Sequence, residues 1–181
     1  SYAYPLTKST VQINGGTIRK NGFCISEDET VTNVSINGGG ILAASVKMTG
    51  GTIEQNLCTG SGAGIYTDTL DMSGGLIQDN GYYESADGEI FVKTVSGGGV
   101  YIGKGSATIT DGLIYSNQAN RGAGLYIMGT LNLSAPAYIR YNHAADLYGG
   151  VYCSNTNTDH VDLTRIRNNS AENGNPQYNF S

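Results

Sequence analysis

The side chains with most scope for chemistry in this 181-residue chain fall into an acidic set and an aromatic set. Glu27, Asp28 and Glu29 lie together in one stretch, and Glu84, Asp87 and Glu89 in another, so six of the fifteen acids sit in two short segments. Converging carboxylates are the ligands of a hard cation such as calcium, which makes these six the candidate metal site. Acids at loop tips also keep strand edges from pairing with other chains, and neither segment matches a calcium-binding loop position by position. The aromatic set is mostly tyrosine: 13 Tyr against 3 Phe and no Trp. Tyr66, Tyr101, Tyr126 and Tyr152 recur in one sequence context, and Tyr82 and Tyr83 precede the second acidic segment. Tyrosine is rigid and amphipathic, suited to stacking on a sugar ring or to burial in a protein interface, so these six are the candidate ligand-binding residues. Neighbouring rings would equally stabilise a sheet as cross-strand partners.

Other chemistry is thinly represented. His143 and His160 have no Cys or His at metal-ligand spacing. Cys24 and Cys58 follow similar landmarks and could bridge; Cys153 falls at an inward strand position, where it acts as a small apolar residue. No short motif of paired acids suggests general acid–base catalysis, and no catalytic residue is assigned. The net charge of −5 and a pI near 4.8 argue against nucleic acid. Charged residues make up 14% and apolar residues 39%, too little charge for a solvated disordered chain and enough apolar surface for a core. No apolar run is long enough to span a membrane. No cofactor is expected; calcium at the acidic set is the one candidate.

The elements that would position these groups come from a repeat. The pattern Ile-x-x-Asn occurs six times, ending at Asn21, Asn56, Asn80, Asn117, Asn142 and Asn169, with steps of 35, 24, 37, 25 and 27 residues. An alternating strand that usually ends in glycines precedes each Ile, as in Val46–Gly51 and Leu70–Gly75. A glycine-containing triplet and a third strand follow, as in Gly97–Tyr101 and Gly122–Tyr126. Period-two alternation within each segment predicts three short strands per unit, separated by tight bends. Such strands cannot bury their apolar faces within one unit. They can if units stack, each strand pairing in parallel with its copy about 4.8 Å away. The expectation is therefore an all-β fold, a right-handed parallel β-helix of about six to seven coils with two projecting hairpins. One domain is expected over residues 1–181, with a cap or lead-in over 1–10, coils over 11–170 and a tail over 171–181, as part of a longer protein. The six asparagines are the expected structural ladder, since a stacked carboxamide both donates and accepts. The glycines supply positive φ and close packing between coils.

Alternation also sorts the surface. Ile41, Ile65, Val100, Leu125 and Val151 point inwards, while Leu42, Tyr66, Tyr101, Tyr126 and Tyr152 point out on successive coils. The outward first-strand positions carry Gln12, Lys47, Asp71, Thr108, Asn132 and Asp162. The outward middle-strand positions carry Arg19, Glu54, Gln78, Tyr115, Arg140 and Arg167. The two long steps contain insertions, residues 22–37 and 81–96, that read as hairpins; in the second, Asp87-Gly88 is the expected two-residue turn.

The pairing of Ile-x-x-Asn with Gly-Gly/Ala-Gly-Ile/Val/Leu resembles the short repeats of β-helical bacterial surface proteins. It is similar to adhesin-like repeat proteins and to polymorphic outer-membrane proteins, in which an aromatic residue stands where this chain has Ile. The wider resemblance is to the pectin-lyase-like fold. It implies an extracellular or cell-surface module, structural or binding a host or environmental glycan or protein, with no membrane insertion and no nucleic acid. The alternative it implies is a polysaccharide-degrading enzyme, a lyase or glycoside hydrolase.

Overall fold

The computed structural model describes residues 9–25, 31–32, 35–84, 87–92 and 94–181. Glu27, Asp28 and Glu29 lie outside the described residues. The strands are β1 (Thr10–Arg19), β2 (Cys24–Ile25), β3 (Val31–Thr32), β4 (Ile41–Glu54), β5 (Ile65–Gln78), β6 (Tyr82–Glu84), β7 (Ile90–Val92) and β8 (Val100–Tyr115). They continue as β9 (Gln118–Arg121), β10 (Leu125–Leu133), β11 (Tyr138–Arg140), β12 (His143–Leu147), β13 (Val151–Cys153), β14 (Ile166–Arg167), β15 (Ser170–Asn173) and β16 (Tyr178–Phe180). A 3-10 turn, Leu163–Arg165, precedes β14.

The protein is all-β, with a long parallel sheet in the order β1-β4-β5-β8-β10-β13-β16; β11 pairs with β8 and β14 off that path. This arrangement is consistent with a β-helix. The sequence predicts separate short strands, yet β4, β5 and β8 each run unbroken through two bends. The reason is that each bend lies on the bend of the neighbouring repeat, so cross-strand hydrogen bonding continues around it. Register shifts mark the glycine-rich corners, between Met48 and Thr52 and between Met72 and Leu76.

Residue-for-residue register builds the core. Ile18, Ile53, Ile77, Ile114, Ile139 and Ile166 form one column across neighbouring strands. Val46, Leu70, Ala107 and Leu131 form another. All of these except Ile18 are buried, and burying each large aliphatic chain contributes about 1.5–3 kcal/mol.

A second, three-stranded parallel sheet, β15-β12-β9, has strands that each begin one residue after a ladder asparagine, Asn169, Asn142 and Asn117, where the repeat pattern predicts no strand. Ala119 and Ala144 lie on it, two residues after Asn117 and Asn142, and pack with Ala123 and the half-buried Ala171 as a small separate core. Cys58 stands at the same offset from Asn56 and is also buried. The signal was a small residue two places after Asn. At the other end of the chain, β16 lies parallel on β13, with Val151 opposite Tyr178 and Cys153 opposite Phe180.

Both insertions contain antiparallel pairs, β2 with β3 and β6 with β7. The second is not closed by a two-residue turn. Glu84 pairs with Ile90, which leaves residues 85–89 as the connection, with Gly88 in the left-handed region at φ 84°. The Asp87 carboxylate accepts from the Glu89 backbone N–H at 3.4 Å, a local turn contact that favours the longer loop.

Candidate functional site

The asparagine column is a continuous hydrogen-bonded chain. Asn56 donates through its backbone N–H and through Nδ2 to Asn80 Oδ1, both at 3.0 Å, and Nδ2 also donates to the Ile18 carbonyl at 3.1 Å. Asn80 makes the same pair of bonds to Asn117 at 3.1 and 2.9 Å, Asn117 to Asn142 at 3.0 Å each, and Asn142 to Asn169 at 2.9 and 3.0 Å. Asn21 begins the chain by donating to Asn56. Gln177 ends it, its Oε1 accepting from Asn169 N–H and Nδ2 at 3.2 Å while its Nε2 returns a bond to the Asn169 carbonyl. The residue before each asparagine takes positive φ: Lys20, Gln55, Asp79, Ser116, Tyr141 and Asn168, between 52° and 58°. None is glycine, so the glycine pattern of the sequence does not mark this corner.

That corner supplies one wall of a pocket. Lys20, Gln55 and Asp79 stand in a column at three successive corners, and the insertions bring Phe23, Tyr82, Tyr83 and Glu84 against them around a cavity of about 300 Å³. Phe23 and Tyr83 have ring centroids 6.4 Å apart at 58°, and Tyr83 and Phe91 lie 6.5 Å apart at 23°. Desolvation pushes the Asp79 carboxyl above its ordinary range, with hydrogen bonds from Ser116 and Tyr82 opposing and the Glu54 charge adding to the rise. Desolvation, together with Asp79 and Glu84, pushes the Tyr82 phenol up to about 12, so it stays a neutral donor to Asp79. Aromatic faces beside an amide, two carboxyls and an ammonium match what a sugar offers, apolar ring faces edged by hydroxyls.

The tyrosine row has a different character. Tyr66, Tyr101, Tyr126 and Tyr152 are register partners, stacked at centroid distances of 4.9, 5.3 and 4.4 Å with interplanar angles of 19°, 11° and 26°. Tyr148 joins Tyr152 at 5.5 Å. The inner rings cover one another's faces, so a ligand meets their edges and hydroxyls. Burial holds the phenols of Tyr66, Tyr101 and Tyr126 above the ordinary tyrosine value, which keeps those hydroxyls protonated.

A shallow groove of about 630 Å³ lies on the outer face of the first-strand segments, edged by Thr108, Asn132, Ser134, Asp159, His160 and Asp162. Asp162 is occupied there: it accepts from Thr164 N and Oγ1 at 3.1 and 2.6 Å and from Arg165 Nε at 3.0 Å. Those partners, Thr164 first, hold its carboxyl below the usual range. Glu84, Asp87 and Glu89 belong to the second hairpin and its loop. No group of three or more His, Cys, Asp or Glu gathers to hold a metal among the described residues.

Cys58 and Cys153 are free, buried thiols, and burial raises both above the ordinary thiol value. His143 Nδ1 lies 2.9 Å from Ser170 Oγ, joining neighbouring strands β12 and β15. No helix among the described residues is long and apolar enough to cross a membrane. Comparison with protein-family models, with curated proteins and with solved structures gives no match.

Proposed function

We propose that the chain is a right-handed parallel β-helix of about six to seven coils, an adhesin-like module of the bacterial cell surface that displays a binding face to a glycan or protein. The supporting observation is the contrast between interior and exterior. Core columns and the asparagine chain repeat at each level, whereas most outward positions change from level to level; the Tyr66–Tyr101–Tyr126–Tyr152 column repeats, and further rings gather where the insertions meet the Lys20–Gln55–Asp79 column. The hairpin pocket offers ring faces, and the tyrosine row offers hydroxyls along its edge.

Glycan and host-protein arrays probed with the wild-type chain, Tyr83→Ala and Tyr101→Ala test this reading. A saccharide or protein ligand is expected for wild type. Tyr83→Ala is expected to weaken it at least tenfold, and Tyr101→Ala more modestly. Blank arrays for wild type would remove the binding role and leave a structural spacer. The first-strand groove favours a second reading, a polysaccharide-degrading enzyme, with the Asp159 and His160 side chains, which make no hydrogen bond among the described residues, at its edge. New reducing ends released from a polysaccharide panel, and lost in Asp159→Asn, would support that reading.

A further inference from the structure

The middle-strand face changes its electrostatics along its length. At one end Arg19 Nε lies 3.7 Å from Glu54, and Gln78 Nε2 donates to the same carboxylate at 2.9 Å. At the other end, the equivalent positions are Tyr115, Arg140 and Arg167, with Arg140 opposite Tyr115 on one side and Arg167 on the other. Two like charges directly opposite on paired strands destabilise a sheet. Neither Arg140 nor Arg167 has a carboxylate partner among the described residues, in a chain whose net charge is −5.

Tyr138 organises the cluster. The guanidinium carbons of Arg140, Arg165 and Arg167 lie 5.5, 4.9 and 4.6 Å from its ring centroid, within cation–π range. Arg165 is already satisfied, through Asp162 and through a 2.7 Å bond from Nη1 to the Tyr138 hydroxyl, and so fixes the ring. Arg140 is not: its Nε is buried and has no hydrogen-bond partner. An unmade bond on a buried charged donor is costly, and a planar guanidinium pair presents the fork that oxyanions fit. Tyr141, exposed beside Arg140 with its ring centroid 5.8 Å from that guanidinium, packs edge-on against Tyr115 at 5.6 Å and extends the platform with an apolar surface.

The geometry points to an oxyanion site at Arg140 and Arg167, positioned by Tyr138 and Arg165, that takes the sulfate or carboxylate group of an acidic saccharide whose ring rests on Tyr141. It rests on the binding role proposed above only for the saccharide as carrier, and it lies on different residues from the hairpin pocket.

Calorimetric titration of the intact chain with a heparin-derived hexasaccharide, an unsulfated hyaluronan hexasaccharide, a neutral chitin hexasaccharide and sodium sulfate tests the site. One or both acidic oligosaccharides should bind, the neutral one at least tenfold more weakly, and the response to the two acidic arms identifies sulfate or carboxylate. Arg140→Gln/Arg167→Gln should lose at least tenfold in affinity, and Arg19→Gln on the same face should lose none. Melting temperature guards against misfolding: the double variant should melt no lower than wild type, because it removes facing like charges. Should it melt lower, the single exposed change Arg167→Gln carries the test with the same expected direction. Unchanged affinity in the arginine variants, equal binding of neutral and acidic sugars, binding of free sulfate alone or no binding would overturn the proposal. Loss of ligand in Tyr83→Ala with retention here, or the reverse, separates this site from the hairpin pocket.

Discussion

Asn117 occupies the middle of the carboxamide chain, and its side chain serves three buried neighbours at once. It accepts two bonds from Asn80 and donates to Asn142 Oδ1 and to the Ile77 carbonyl. Asn117→Ala strands several of these groups without water, each costing about 1–3 kcal/mol, so a loss of roughly 3 kcal/mol or more is expected in denaturant unfolding. Asn21→Ala, at the exposed end, should cost under about 1 kcal/mol. Equal losses at the two positions would mean that the chain of amides does not act cooperatively. Asp79 makes a pH-dependent prediction. Its carboxyl is held above its ordinary range in the fold, so the ionised form opposes folding at neutral pH. That penalty fades as pH falls through the raised native value and vanishes below the unfolded value of about 3.9. Asp79→Asn keeps an acceptor for Ser116 and Tyr82 and suits the positive φ of 52°. It should therefore be more stable than wild type at pH 7, with the difference shrinking towards zero near pH 4. A difference that grew on acidification would contradict the assignment.

At the scale of elements, the two halves of the repeat motif turn out to touch. A methyl group on Gly99 would stand 2.7 Å from the Gly124 carbonyl oxygen and 2.9 Å from Asn117 Nδ2. Gly40 and Gly64 meet Asn56 and Asn80 in the same manner. The last glycine of each triplet is thus the surface on which the asparagine amide lies, which is why the two patterns recur together. Gly99→Ala must push backbone rather than a flexible side chain, and an expected loss of about 2–4 kcal/mol follows from overpacking next to a disturbed buried bond. A melting temperature within a degree of wild type would show that the repeats can separate freely at this corner. The hairpins illustrate the opposite case. Their existence was readable from insertion length and alternation. The longer loop of the second was not, because register is set by which residues pair across it, Glu84 with Ile90, rather than by the favoured Asp-Gly dipeptide.

Across the whole molecule, the proposed stacking of repeats makes stability approximately a sum of repeats and their contacts with neighbours. β5 and β8 lie in the interior of the sheet order, and each is paired along nearly its full length on both sides. Native-state hydrogen exchange is expected to be slowest there and to quicken towards β16, whose three residues pair with β13. Uniform protection from β4 to β16 would instead indicate a single all-or-none unit. The same graded architecture separates the surface into regions with unrelated chemistry: stacked phenols on one face, the hairpin pocket at a corner, and arginines beside Tyr138 on another face.

The spacing of Ile-x-x-Asn and the glycine triplets determined which residues face inwards, where parallel copies pair and where insertions project. Each of these depends on a period, and a period is a one-dimensional property. Positive φ before every ladder asparagine, the continuous strands through the bends and the three-stranded sheet bearing Ala119 and Ala144 required the tertiary structure. They arise from contacts between repeats rather than from any one repeat. The candidate sites divide in the same way. Alternation put Tyr66, Tyr101, Tyr126 and Tyr152 on one outward column, but only the packed rings show that their faces are mutually covered. Phe23 meeting Asp79 and Tyr83, and Arg140 meeting Arg167 over Tyr138, are junctions of residues from different repeats, fixed by the register of stacked strands and the path of the inserted loops.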